Sequence, residues 1–99
     1  MIISTEYGIC KNIDLEHLKL YANNKYTFVD NYKISDIHIH NYLILYFEVW
    51  PEEYCNNDED PFHFFVEEYD IDGHIYFHKV DLKIDEINYI KRLYNEYIK

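Results

Sequence analysis

Residues 37–50, IHIHNYLILYFEVW, constrain the fold more than any other part of this chain. Side chains alternate across a strand with a period of two. One face then carries Ile37, Ile39, Asn41, Leu43, Leu45, Phe47 and Val49, which is a core face apart from Asn41. The other carries His38, His40, Tyr42, Ile44, Tyr46, Glu48 and Trp50, half aromatic and half polar. The run exceeds the usual strand length of about 3–10 residues, so the polar Asn41 predicts a bulge, bend or turn near His40–Asn41. Pro51 has no N–H to give a ladder and ends the strand.

The flanking segments give the rest of the class. The first ten residues alternate weakly, at Ile3, Thr5, Tyr7 and Ile9, and read as a strand. Asn12 is a good N-cap, Asp14 and Glu16 suit the positive end of a helix dipole, and Leu15, Leu18, Tyr21 and Ala22 fall on one stripe. That pattern predicts a short N-terminal helix over 13–22, stopped at Asn23–Asn24. Tyr26 to Val29 favour strand. Residues 62–80 read as a hairpin about Asp72–Gly73, because glycine supplies the positive φ such a turn needs. A two-residue loop pairs Tyr69 with Tyr76; a three-residue loop with a bulge pairs Glu68 with Tyr76; the sequence leaves both registers open. Ile84, Ile87, Ile90, Tyr94 and Tyr97 recur at helical spacing, with acids early and bases late, and predict a helix over 85–98. The expected fold is one α+β domain spanning 1–99: an antiparallel sheet, a C-terminal helix on one face and a short N-terminal helix. The most apolar run, from Tyr42 to Trp50, is about half the ~20 residues a spanning helix needs, so no membrane role is expected.

Charge is unevenly laid out. Between Ile34 and His78 there is no Lys or Arg, while that block holds Asp36, Glu48, Glu52, Glu53, Asp58, Glu59, Asp60, Glu67, Glu68, Asp70 and Asp72. The remaining chain sets eight acids against all nine bases, so the block carries −11 and the rest +1, which together give the net charge of −10. A mixed surface would serve solubility; a one-signed surface also steers a partner of opposite charge. The residues Glu48, Glu52, Glu53, Asp58, Glu59, Asp60, Glu67, Glu68, Asp70 and Asp72 are therefore the candidate docking face for a basic protein. The same field repels a phosphate backbone, so direct nucleic-acid binding is not expected.

Motifs for chemistry are few. His38 and His40 lie on one side of a strand, a spacing at which two imidazoles converge on a metal ion, but zinc wants a third and usually a fourth ligand. His63, His74, His78, Glu67 and Cys55 are the available candidates. Asp70 or Asp72 followed by Asp81-Leu82-Lys83 matches the acid–acid-x-Lys pattern of metal-dependent nucleases only loosely, in a region whose charge opposes a nucleic-acid substrate. There is no Gly-x-Ser-x-Gly, Cys-x-x-Cys or P-loop, and only four Ser and Thr in all. Two cysteines, Cys10 and Cys55, do not make a disulfide framework. No cofactor is implied. The stripe Tyr42, Ile44, Tyr46 and Trp50 suggests a homodimer if no helix covers it.

Fourteen Ile, twelve Tyr and nine Asn against a single Ala and two Gly is the usage of an A+T-rich genome. With segments such as MIISTEYGICKNIDLEHLKLYANN and NYLILYFEVWPEEY, the chain resembles the small conserved proteins of crenarchaeal filamentous and rod-shaped viruses of the lipothrixvirus and rudivirus type. The resemblance implies a setting, the cytoplasm of an infected host cell, and carries no functional residue across. The sequence reading is thus a non-enzymatic viral accessory protein acting by protein–protein contact through an acidic face, as a possible nucleic-acid mimic or inhibitor of a basic host factor. A metal-dependent hydrolytic enzyme using the histidine-rich sheet is the alternative.

Overall fold

The computed structural model describes residues 1–28, the backbone of 33–34, and residues 42–99. The expected bend at His40–Asn41, together with Asp36, His38 and His40, lies outside the described residues.

The chain opens with a hairpin of β1 (Ile2–Ser4) and β2 (Cys10–Asn12), a two-stranded sheet of its own. A single 3-10 turn at Leu15–His17 follows, and then β3 (Leu18–Ala22) and β4 (Lys25–Phe28). The short N-terminal helix expected over 13–22 is therefore replaced by one turn and a strand. Leu18 and Leu20 fit a period of two as well as they fit a helix, and short apolar runs do not separate the two patterns. Pairing decides: Leu18 sits opposite Phe28 and is buried with it. Asn23–Asn24, read as a helix stop, is instead the tip of the β3–β4 hairpin, with Asn24 at a φ of 62°. Asparagine tolerates that left-handed backbone better than most residues.

The short β5 (Lys33–Ile34) pairs with one end of β6 (Tyr42–Val49). β7 (Phe62–Tyr69), β8 (Ile75–Lys79) and the helix α1 (Ile84–Tyr97) complete the chain. The main sheet is antiparallel in the order β3-β4-β6-β7-β8, with β5 beside β6. The fold is α+β, with antiparallel sheets and one C-terminal helix.

Glu68 pairs with Tyr76 and Tyr69 with Ile75, so the hairpin adopts the longer of the two loops the sequence allowed. Gly73 has a φ of 84°, and its N–H donates to the Asp70 carbonyl. A three-residue loop of this kind needs the left-handed residue that only glycine supplies cheaply.

This register assigns every side chain to a face. Leu43, Leu45, Phe47, Phe64, Val66 and Phe28 point to the side where α1 lies, and are buried with Ile90 and Leu93 of the helix. Tyr94 meets Phe47 edge-on, with ring centroids 6.2 Å apart. The β1–β2 hairpin closes the same layer with Ile3 and Ile9. The helix differs from its apolar stripe at the ends: Ile84 and Ile98 are exposed, and Glu86 is buried in their place. Glu86 bridges two elements, since Oε1 accepts from the Lys83 N–H at 2.9 Å and Oε2 from the Ser4 N–H at 3.0 Å.

Candidate partner-binding surface

The acidic block divides into three parts. The first is the loop between β6 and β7. Its mouth is closed by the Trp50 N–H, which donates to the Pro61 carbonyl at 2.8 Å. A 3-10 turn at Glu52–Tyr54 follows, and the Glu59 N–H returns to the Asn56 carbonyl at 2.9 Å while Glu59 Oε2 accepts from the Asn56 N–H at 3.0 Å. Glu52, Glu53 and Asp58 point outward and are exposed. Asp60 is exposed too, but it ties the loop down, taking the Phe62 N–H on one oxygen and the Lys91 ammonium of α1 on the other. Burial works to raise the Asp60 pKa, but Lys91 and the Phe62 N–H outweigh it and hold the carboxyl below its ordinary value.

A ring stack fixes this end of the sheet. Trp50 lies on His63 with centroids 3.8 Å apart. Trp50 Nε1 donates to Glu48 at 2.8 Å, and the Lys25 ammonium lies 3.7 Å from the other Glu48 oxygen. His63 is buried, and its Nε2 has no hydrogen-bond partner among the described residues; Glu59 Oε1 is 3.6 Å away, too far for a hydrogen bond. Beside them lies a cleft of about 260 Å³, bordered by Glu59, His63, Lys79 and Asp81 over an apolar floor that includes Phe64 and Leu82.

The second part lies in the middle of the sheet, where Glu67 and Glu68 are neighbours in sequence and so point to opposite faces. Glu67 is buried, accepting from Tyr69 at 2.7 Å and from Tyr21 at 3.5 Å. That bond from its own hydroxyl, with burial, raises the Tyr69 pKa far above the ordinary tyrosine value. Burial first, then the charges of Glu67 and Glu48, push Tyr46 up to about 12. Glu68 lies on the helix side, 2.9 Å from His78 Nε2, and Tyr7 of the N-terminal hairpin stacks on that imidazole.

The third part is the β7–β8 turn. Asp70 Oδ1 accepts from the N–H groups of Asp72 and His74, both at 2.9 Å, while Oδ2 lies 3.3 Å from the Tyr76 hydroxyl. Burial again acts upward on Asp70, and the two backbone donors with His74 bring it below its ordinary value. β7 separates this turn from the first loop by roughly 24 Å at the rise of an extended strand. The candidate carboxylates therefore do not share one face: Glu48, Glu67 and Glu68 stand on the strands, and the rest lie in the loops at the two ends of the sheet.

Two described clusters hold three metal-capable groups within 4.8 Å: Asp14, Glu16 and His17, and Asp70, Asp72 and His74. In both, donor atoms already close a turn, since His17 Nδ1 accepts from the Asp14 N–H at 2.9 Å and Asp70 Oδ1 holds two amides. His38 and His40 lie outside the described residues, so the metal alternative gains no geometry from them.

Cys10 is exposed and Cys55 half-buried, and neither is bridged. Burial, then Glu59, Asp60 and Glu52, push the Cys55 thiol up, away from the thiolate a nucleophile needs.

The sequence reading missed the Trp50–His63 stack and the Lys91–Asp60 anchor. The only available signal was the alternation placing Glu48 and Trp50 on one face; their partners come from elements distant in sequence. No helix among the described residues is long and apolar enough to cross a membrane. The chain matches no protein-family model, no curated protein and no solved structure.

Proposed function

We propose that this chain works without catalysis, as an accessory protein of the viral type its composition resembles, by binding a basic protein in the host cytoplasm. The observation that carries this reading is the loop between β6 and β7. It presents Glu52, Glu53 and Asp58 to solvent on a base held by Asp60–Lys91 and the Trp50–His63 stack. A charged loop with a fixed base loses less freedom on binding than a mobile tail, and a one-signed field speeds encounter with a basic partner. The acids at Asp70 and Asp72 form a second, smaller contact at the far end of β7. Glu67 supports the sheet rather than the contact, because it is buried beneath Tyr69 and Tyr21.

The test is capture from host lysate by the immobilised protein, compared with a variant carrying Glu52→Lys, Glu53→Lys and Asp58→Lys. Basic proteins should bind at physiological salt and elute as screening shortens to ~3 Å near 1 M salt. The variant, which alters only exposed side chains, should keep its fold and lose them. Partners that ignore both the salt and the three reversals refute the reading.

A further inference from the structure

The two long edges of the main sheet are treated differently. On β3 the Leu20 N–H, which faces away from β4, donates to the Tyr97 hydroxyl of α1 at 3.2 Å, so the helix end covers that edge. On β8 no such cover exists among the described residues. The Val80 N–H donates to the Phe64 carbonyl at 2.9 Å, and the Asp70 N–H to the His74 carbonyl at 3.0 Å. Even-numbered residues of this strand therefore turn their backbone groups toward β7. Antiparallel ladders alternate, so Ile75, Phe77 and Lys79 turn theirs outward. The side chains here are large and apolar yet exposed: Ile75 is 46%, Tyr76 47% and Phe77 61% accessible. The strand holds neither Pro nor Gly, and its one lysine lies at its end. Natural sheets seldom leave such an edge open, because it is a template for another strand.

We infer that β8 is a self-association edge, pairing antiparallel with β8 of a second copy about a two-fold axis through Phe77. Three features of the strand select this occupant. The outward residues are spaced evenly about Phe77, so a two-fold axis there sets Phe77 against Phe77 and Ile75 against Lys79 of the second copy. All three outward positions then exchange both backbone bonds, with none left over. The ends of the strand carry opposite charge, Lys79 at one and the turn acids Asp70 and Asp72 at the other. Antiparallel pairing brings the Lys79 of each copy to the acidic end of the other. Phe77 across the axis adds an aromatic cross-strand pair on the face opposite α1.

Pairing along five residues falls below the ~1,200 Å² of a standard interface, so the dimer is weak and reversible. A net charge of −10 on each copy opposes it. Added salt screens both that repulsion and the two Lys79 contacts, but with ten net negative charges on each copy the repulsion is the larger, and backbone bonds and apolar contact stay in place, so salt tightens this association. The binding of a basic partner to the β6–β7 loop responds in the opposite sense, and the two readings fail separately.

The experiment is sedimentation equilibrium of the full chain over a wide concentration range at low and high salt. A monomer–dimer equilibrium that tightens at least severalfold with salt is expected. Phe77→Lys, at an exposed position, sets two ammonium groups on the axis and should weaken the dimer at least tenfold. Phe77→Pro removes an outward N–H and should do the same without breaking a bond to β7. Circular dichroism of Phe77→Lys confirms that the fold is retained. Amide exchange should show Ile75, Phe77 and Lys79 gaining protection as concentration rises. A monomer under every condition, or a dimer that Phe77→Lys leaves intact, overturns the inference.

Discussion

Glu86 offers the sharpest test of how the layers are joined. It lies in the first turn of α1, is 5% exposed, and spans from the Lys83 N–H at the helix start to the Ser4 N–H on β1. Both donors belong to the backbone and cannot be redirected without moving their elements. A hydrogen bond to a charged acceptor contributes about 1.5–3 kcal/mol, and stranding a buried donor costs about 1–3 kcal/mol. Glu86→Gln keeps one acceptor oxygen and turns an NH₂ group against the other N–H, so one bond is lost and a donor faces a donor. The expected cost is about 2 kcal/mol. Glu86→Ala removes both bonds but opens space for water, and about 3 kcal/mol is expected. Either is a large share of the roughly 5–15 kcal/mol of a domain this size. The neighbouring Asp85 is exposed, and Asp85→Asn should stay within about 0.5 kcal/mol. Urea denaturation with unchanged m-values measures all three, and amide exchange at Ser4 should accelerate in both Glu86 variants. If Glu86→Gln costs no more than Asp85→Asn, the carboxylate does not join the hairpin to the helix, and the account of this layer is wrong.

Two further outcomes follow from packing and titration. Leu45 is fully buried opposite Val66, so Leu45→Ala should cost about 2–5 kcal/mol, whereas Ile84→Ala, at a residue 71% exposed, should stay within about 0.5 kcal/mol; equal costs in denaturation would mean the faces are misassigned. Tyr46 keeps its proton to about 12 in the fold but releases it near 10.0 when unfolded. Its contribution is therefore complete below pH 10 and lost as pH rises from there to about 12, so Tyr46→Phe should move the alkaline unfolding midpoint upward; an unmoved midpoint would refute the assignment.

The sequence by itself determined the elements whose signal is local. The inward set Leu43, Leu45, Phe47 and Val49 follows from a period of two, and α1 from a period near 3.6 sustained over fourteen residues. Asp72–Gly73 marked the β7–β8 turn because positive φ is a property of one residue. The total charge of the acidic block was equally legible, since counting needs no fold. Tertiary structure decided what depends on residues far apart in the chain. Leu18 to Ala22 carry a pattern that suits helix or strand, and pairing with β4 selected the strand. Register is a choice between ladders that differ by one residue, and it placed Glu68 opposite Tyr76. Burial of a charged group depends on which donors converge on it: Tyr69 and Tyr21 drew Glu67 inward, while Ser4 and Lys83 drew in Glu86. The acidic block thus read as one surface in sequence, and the alternation of a single strand divided it between two faces and two ends.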